Sequence, residues 1–308
     1  MSGSWSGSWP KGRAVIASIA GLSLLSVGLR DAAWACGNAK VLAKYAASPK
    51  PGALRLAALP PRPGTPKPAV LSPSAAKCDP SKFRIVLDVG HTAESEGAIS
   101  ARNVAEFDFN LHLAQRIEEK LKAEGFAGTT LLVTEGKSKP GLFKRVVAAN
   151  NLQANLFLSI HHDSVPDRLL EKWEFDGKKG HFSDRFSGYS VFVSRDNPEF
   201  KTSLRFAELV GKEMRAQGLQ YAQQYTQSIM GRYQHELLDK ETGVYRYDQL
   251  VVLRKTRMPA VLLEAGSIIN REEELQMKSP ERQHIVSSGV TAAVKEFCDP
   301  RRAIHGPL

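Results

Sequence analysis

From about residue 83 onward, apolar positions fall into two spacings: short unbroken runs, and stripes that recur every three or four residues. The runs read as buried strands and the stripes as amphipathic helices. Residues 83–91, Phe-Arg-Ile-Val-Leu-Asp-Val-Gly-His, open the series, with Ile85, Val86 and Leu87 forming a strand that stops at Gly90 and His91 directly after it. A polar loop leads to about Asn103. The helix that follows carries Phe107, Leu111, Ala114, Ile117 and Leu121 on one face and stops at Gly125. Further strands are expected over 131–134, 156–160, 189–193, 251–253 and 260–263. Further helices are expected over 139–153, 199–217 and 280–297, the last opened by Ser279 and Pro280. The polar stretch 168–187 reads as a surface loop. Strands alternating with helices specify an α/β fold, a mostly parallel twisted sheet flanked by helices.

Three of these strands share a feature. The first runs into His91, the strand at 156–160 into His161, and the strand at 260–263 into Glu264. Ligands of parallel α/β sheets collect beyond the carboxyl ends of the strands, so three polar groups at one edge point to a shared site. A water-activating zinc site needs about three imidazole or carboxylate ligands, one open position, and a carboxylate to take a proton from water. His91 and His161 are the candidate imidazoles. Glu106, in the first turn of a helix that starts near the end of the first strand, is the candidate third ligand, and Glu264 the candidate base. A single histidine at a strand end is more often structural; the joint arrival of these groups at one edge carries the inference.

Composition, 42% hydrophobic and 24% charged over 308 residues, is ordinary for a globular chain and allows a sizeable core. The net charge of +10 acquires meaning from its location. Residues 36–77 hold Lys40, Lys44, Lys50, Arg55, Arg62, Lys67 and Lys77 and no acid, residues 1–35 contribute +2, and residues 78–308 only +1. The basic character belongs to a tail, suited to a solvated linker or to tethering on an anionic surface. The folded region lacks the basic excess of a nucleic-acid binder, and no nucleic-acid partner is expected. Eight prolines between Ser48 and Pro73 favour extended backbone, so residues 36–79 read as a basic Pro/Ala-rich, disordered linker and semi-rigid spacer.

Ahead of that linker, Lys11 and Arg13, an apolar stretch over 14–29 and Ala33-Trp34-Ala35 make a secretory signal peptide over residues 1–35. The stretch is shorter than the roughly 20 apolar residues of a membrane helix, so the mature chain is expected to be exported to the periplasm or cell envelope without a transmembrane span. Cys36 would become its first residue, but the bulky Trp34 makes a poor lipid-attachment sequence. Cys78 and Cys298 bracket the folded region, each followed by aspartate and proline. They are either two buried thiols or, in an oxidising compartment, a bridge whose long loop stabilises by on the order of 4–5 kcal/mol. Residues 300–308 form a short tail.

The motifs also have a familiar order. Asp88-Val89-Gly90-His91, Glu106-Phe107-Asp108-Phe109-Asn110-Leu111, Ser159-Ile160-His161-His162 and Pro259-Ala260-Val261-Leu262-Leu263-Glu264-Ala265-Gly266 with Asn270 resemble the zinc-dependent N-acetylmuramoyl-L-alanine amidases of bacterial cell-wall turnover. The resemblance covers residues 83–297 and implies a single amidase catalytic domain over 80–299. It implies that His91, Glu106 and His161 bind Zn2+ and that Glu264 is the catalytic carboxylate. The implied substrate is peptidoglycan, cut at the amide between the lactyl group of N-acetylmuramic acid and L-alanine in wall turnover or daughter-cell separation. An activator protein is a partner the family allows. Arg145 and Asn150 match a helix pattern of structural role.

The chain departs from the family pattern in places. Thr92 and Ala93 stand where two glycines are common, and His162 replaces a small residue. One step along a strand from His161, His162 faces the opposite way and is expected behind the ligands rather than among them. Neither 168–187 nor 220–248 reads as the long inhibitory helix that some relatives carry. Two other readings compete: a zinc carboxypeptidase-like hydrolase in which Glu94 of His91-Thr92-Ala93-Glu94 is the ligand, and a non-catalytic cell-wall-binding protein.

Overall fold

The computed structural model describes residues 78–299. The expected signal peptide, Cys36, the linker as far as Lys77 and the tail over 300–308 lie outside the described residues. In chain order the elements are β1 (Ile85–Val89), α1 (Glu106–Ala123), β2 (Thr129–Leu132), α2 (Ser138–Asn151), β3 (Leu156–Asp163), β4 (Glu171–Phe175), β5 (Lys178–Phe182), β6 (Ser190–Val193), α3 (Phe200–Ala216), β7 (Leu237–Asp239), β8 (Val244–Arg246), α4 (Val251–Lys255), β9 (Ala260–Ser267), α5 (Arg271–Lys278) and α6 (Pro280–Cys298). No helix among the described residues is long and apolar enough to cross a membrane.

Seven strands form one sheet in the order β2-β1-β3-β9-β6-β8-β7. Four pairings are parallel, β1 with β2 and with β3, β3 with β9, and β6 with β8, whereas β6 runs antiparallel to β9 and β7 to β8. The sheet is thus mostly parallel, with a reversal at β9–β6. Both faces are covered, which explains the unbroken apolar runs. One face buries Leu87, Leu158 and Leu263 beneath α1, α3 and α6; the other buries Val86, Phe157 and Leu262 beneath α2 and α4.

Local chemistry sets the helix bounds. Glu106 and Asp108 lie in the first turn of α1 and Lys120 and Lys122 in its last, each sign suited to the helix dipole. Its buried face runs through Phe109, Leu113, Ala114, Ile117 and Leu121, so the stripe expected through Phe107 and Leu111 is half-buried at the margin. Ser279 caps α6 by accepting from the Arg282 amide, with Pro280 in the first turn. Cys78 and Cys298 form a disulfide with Cα atoms 5.1 Å apart, and the Cys78 amide donates to the Cys298 carbonyl.

Several expectations are corrected. Residues 251–253, expected as a strand, begin the short helix α4; its burial of Val252 and Leu253 is that of one helical turn. The surface loop expected over 168–187 contains the hairpin β4–β5. Its strands were hidden because most of their outward positions are charged and only the 173, 180 and 182 positions are covered. β2 lies two residues earlier than expected, and β3 and β9 extend through His161 and Glu264 rather than stopping before them.

Candidate metal centre

β1 delivers His91 from a strained position. Its φ of 65° is in the left-handed region, where a residue with a Cβ is uncommon and needs support. Arg145 of α2 supplies it: the guanidinium donates to the carbonyls of Val89 and His91 and pairs at 2.5 Å with Asp88, which also accepts from Ser159 Oγ at 2.7 Å. Burial pushes the Asp88 carboxyl up, and the Arg145 charge works against that rise. Gly90 is required by packing, because a Cβ there would come within 2.4 Å of the His161 ring.

Glu106 stands between the two imidazoles. Its Oε2 lies 3.0 Å from His91 Nε2 and its Oε1 3.0 Å from His161 Nδ1. Ligand atoms of His91, Glu106 and His161 all lie within 4.8 Å of one another, a group able to hold a metal ion. The two histidine side chains are 29% and 17% exposed against 6% for Glu106, so the group is open to solvent on the histidine side. Burial alone would raise the Glu106 carboxyl, but the hydrogen bonds and positive charge offered by His161 and His91 hold it well below the usual range.

Behind this group lies a buried polar relay. Asn110, one turn after Glu106, donates to Glu106 Oε1 and to the Gly90 carbonyl, both at 3.2 Å. Its Oδ1 is 2.8 Å from His162 Nδ1. His162 therefore faces α1, away from the ligand group, as strand alternation requires. Burial pushes its imidazole down to about 3, so it is neutral. Asn110 had received no role from the sequence, although its spacing of four from Glu106 put both on one helix face.

Glu264 occupies the neighbouring strand. It is the register partner of His161 across β3–β9 and of Ser190 across β9–β6, which places it within about 5 Å, one strand spacing, of each backbone. Its Oε2 and Ser190 Oγ are both buried without a hydrogen-bond partner. Burial, then the negative charges of Asp163 and Glu106, push the Glu264 carboxyl well above the usual range. Asp163, which the sequence offers only as a supporting polar residue, accepts from Tyr225 Oη at 2.6 Å and Gln224 Nε2 at 3.3 Å; burial raises its carboxyl to about 7.

The other sequence candidates are placed elsewhere. Glu94 accepts from the Gly136 amide at 2.9 Å on the exposed loop before α2 and is not in the ligand group, which removes the observation on which the carboxypeptidase-like reading stood. Asn150 bonds the Lys255 carbonyl and the Arg257 amide, joining α2 to the segment after α4. Asn270 caps α5 by accepting from Glu272 and Glu273 amides.

The sheet order, the covered faces and the His91, Glu106 and His161 group at this edge define an α/β protein with a candidate metal centre at the ends of its strands. The profile of the N-acetylmuramoyl-L-alanine amidase family, Amidase_3, matches residues 85–296, and the chain belongs to that family. It is 25% identical over 235 residues to the N-acetylmuramoyl-L-alanine amidase AmiC of Escherichia coli O6:H1, a match that spans 69% of this chain and 52% of AmiC, about half its length. Among solved structures, the catalytic domain of the amidase CwlV from Bacillus (Paenibacillus) polymyxa var. colistinus is similar with a TM-score of 0.51 and 28% identity, covering 70% of this chain and 98% of that one. The amidase Ami1 of Mycobacterium smegmatis shares the fold with a TM-score of 0.54 at 18% identity, over 71% of this chain and 98% of its own.

Proposed function

We propose that the chain is a zinc-dependent N-acetylmuramoyl-L-alanine amidase that hydrolyses the amide between the lactyl group of N-acetylmuramic acid and L-alanine in peptidoglycan. In this reading residues 1–35 direct export to the cell envelope, residues 36–79 are a linker and residues 80–299 are the catalytic domain. The observation that carries the reading is the meeting of His91, Glu106 and His161 within 4.8 Å, one strand from a glutamate whose buried oxygen has no partner.

The donor set fits zinc: two imidazoles and one carboxylate, open on one side, are the ligands of a catalytic rather than a structural site. Bound zinc supplies Lewis acidity to water and to the amide carbonyl. Asn110 and His162 keep Glu106 oriented, and Arg145 keeps His91 in place. Glu264 takes a proton from the attacking water at Oε2 and returns it to the alanyl nitrogen as the amide breaks. Burial and the charges of Asp163 and Glu106 raise its pKa, the direction that favours holding the proton until it passes to the alanyl nitrogen.

The test is digestion of purified sacculi followed by mass analysis. Free stem peptides beginning with L-alanine are expected, lost on chelation and restored by zinc. Glu264→Gln is expected to abolish release while retaining bound zinc, and Glu94→Ala to change neither. Release of sugars or of D-alanine alone would refute the assignment, and murein binding without release would favour the non-catalytic alternative.

A further inference from the structure

A cavity of about 740 Å³ opens beside Glu264, with Asp163 also on its wall. Tyr225, Tyr247 and Phe192 line it, and its other walls include Arg168, Arg232 and Tyr233. Glu264 must face the scissile bond if it transfers the proton, so one side of the amide, sugar or peptide, has to enter this space. The cationic groups decide which. Resting on the amidase reading, we infer that the cavity receives the peptide side and that Arg232, assisted by Arg168, selects a stem peptide with a free carboxylate.

Both guanidinium groups are already oriented. Arg232 donates to Tyr233 Oη at 2.8 Å and lies 4.9 Å from the centre of that ring, while Arg168 donates to the Ile229 carbonyl. A Cβ at Gly231 would be 3.4 Å from Arg168 Nη2, so the Arg168 head lies against the residue preceding Arg232. Neither arginine forms an ion pair among the described residues. Arg195 and Arg246, by contrast, are paired with Glu236, and Arg246 with Asp248 as well. A guanidinium held by one N–H retains further donors in a fork that matches a carboxylate.

The sugar side of the bond offers only neutral hydroxyl and acetamido groups while its lactyl carboxyl is tied up in the amide. The peptide side offers the α-carboxylate of the glutamyl residue next to L-alanine. Aromatic walls with a few placed charges are the usual composition of a site for a ligand of that size. Both arginines come from stretches the sequence had set apart, 168–187 and 220–248, neither of which was assigned a role.

The test uses the zinc-loaded protein and two soluble muramoyl peptides that differ only in whether the glutamyl α-carboxyl is free or amidated. Wild type is expected to prefer the free acid by about tenfold to a hundredfold in kcat/KM, the worth of a hydrogen bond to a charged group. Arg232→Ala is expected to lose that preference by slowing on the free acid alone, with zinc content and unfolding temperature unchanged, and Arg232→Lys to recover part of it. Equal cleavage of both peptides by wild type, or an equal loss on both in Arg232→Ala, would overturn the inference alone. Cleavage of neither by wild type would sink the amidase reading and this inference with it.

Discussion

Two regions of one sheet edge are built on opposite principles. On the β1–β3–α1 side the buried polar groups are paired: Glu106 spans two imidazoles, Asn110 ties it to Gly90 and His162, and Arg145 ties Asp88 to the His91 backbone. One strand further, on the β9–β6 side, Glu264 Oε2 and Ser190 Oγ are buried without partners. Buried polar groups are ordinarily satisfied, and each exception asks for a cause. The difference teaches that the first region is finished by the fold up to the ion it would hold, whereas the second is completed by what enters. Geometry that has to be held is fixed by side chains behind it; geometry that has to react is left open.

Breaking the finished side should have the largest effect. Glu106→Ala removes the group between the histidines, and metal analysis should show loss of bound zinc with amide cleavage down by about a thousandfold or more. Retention of zinc in that variant would show that the two imidazoles do not depend on it. Arg145→Met comes next, because it strands a buried carboxyl at Asp88 and frees the carbonyls of Val89 and His91. A loss of about 3–5 kcal/mol is expected, read as a fall of about 10 °C in unfolding temperature. An unchanged melting curve would mean the clamp is dispensable.

The smallest effect is a matter of pH. His162 is held down from 6.5 to about 3 by burial, so between those values the unfolded chain binds a proton that the folded chain refuses. Stability from this residue therefore falls as pH falls through that window, by about 2 kcal/mol between pH 7 and pH 5. His162→Gln should flatten the dependence by that amount in denaturant titrations at the two pH values. Parallel pH profiles for variant and wild type would contradict the assignment of a buried neutral imidazole.

The fold class and the grouping of His91, Glu106 and His161 were both legible in the sequence. His91, Glu106, His161 and Glu264 could be read because each ends or begins a strongly patterned element, and ligands gather where such elements finish. The relay behind them was harder. His162 was placed by alternation alone, but Asn110 and Asp163 gave no periodic signal, since a buried polar residue interrupts the very pattern used to find helices and strands. Short elements failed for a related reason. Val251 to Leu253 is too brief for a period of two or of 3.6 to declare itself, and the β-branched valines argued for strand. β7 and β8, three residues each, went unread for want of length. In α5 a signal was present but unused: Asn270 before three glutamates is a helix start.

The disulfide has a consequence for the layout of the molecule as well as for stability. Cys78 and Cys298 meet where the chain enters and leaves the described domain, before β1 begins, while His91 lies just beyond the far end of that strand. The covalent tie between the first and last described segments therefore closes the rim of the sheet opposite His91 and leaves the histidine rim free of it.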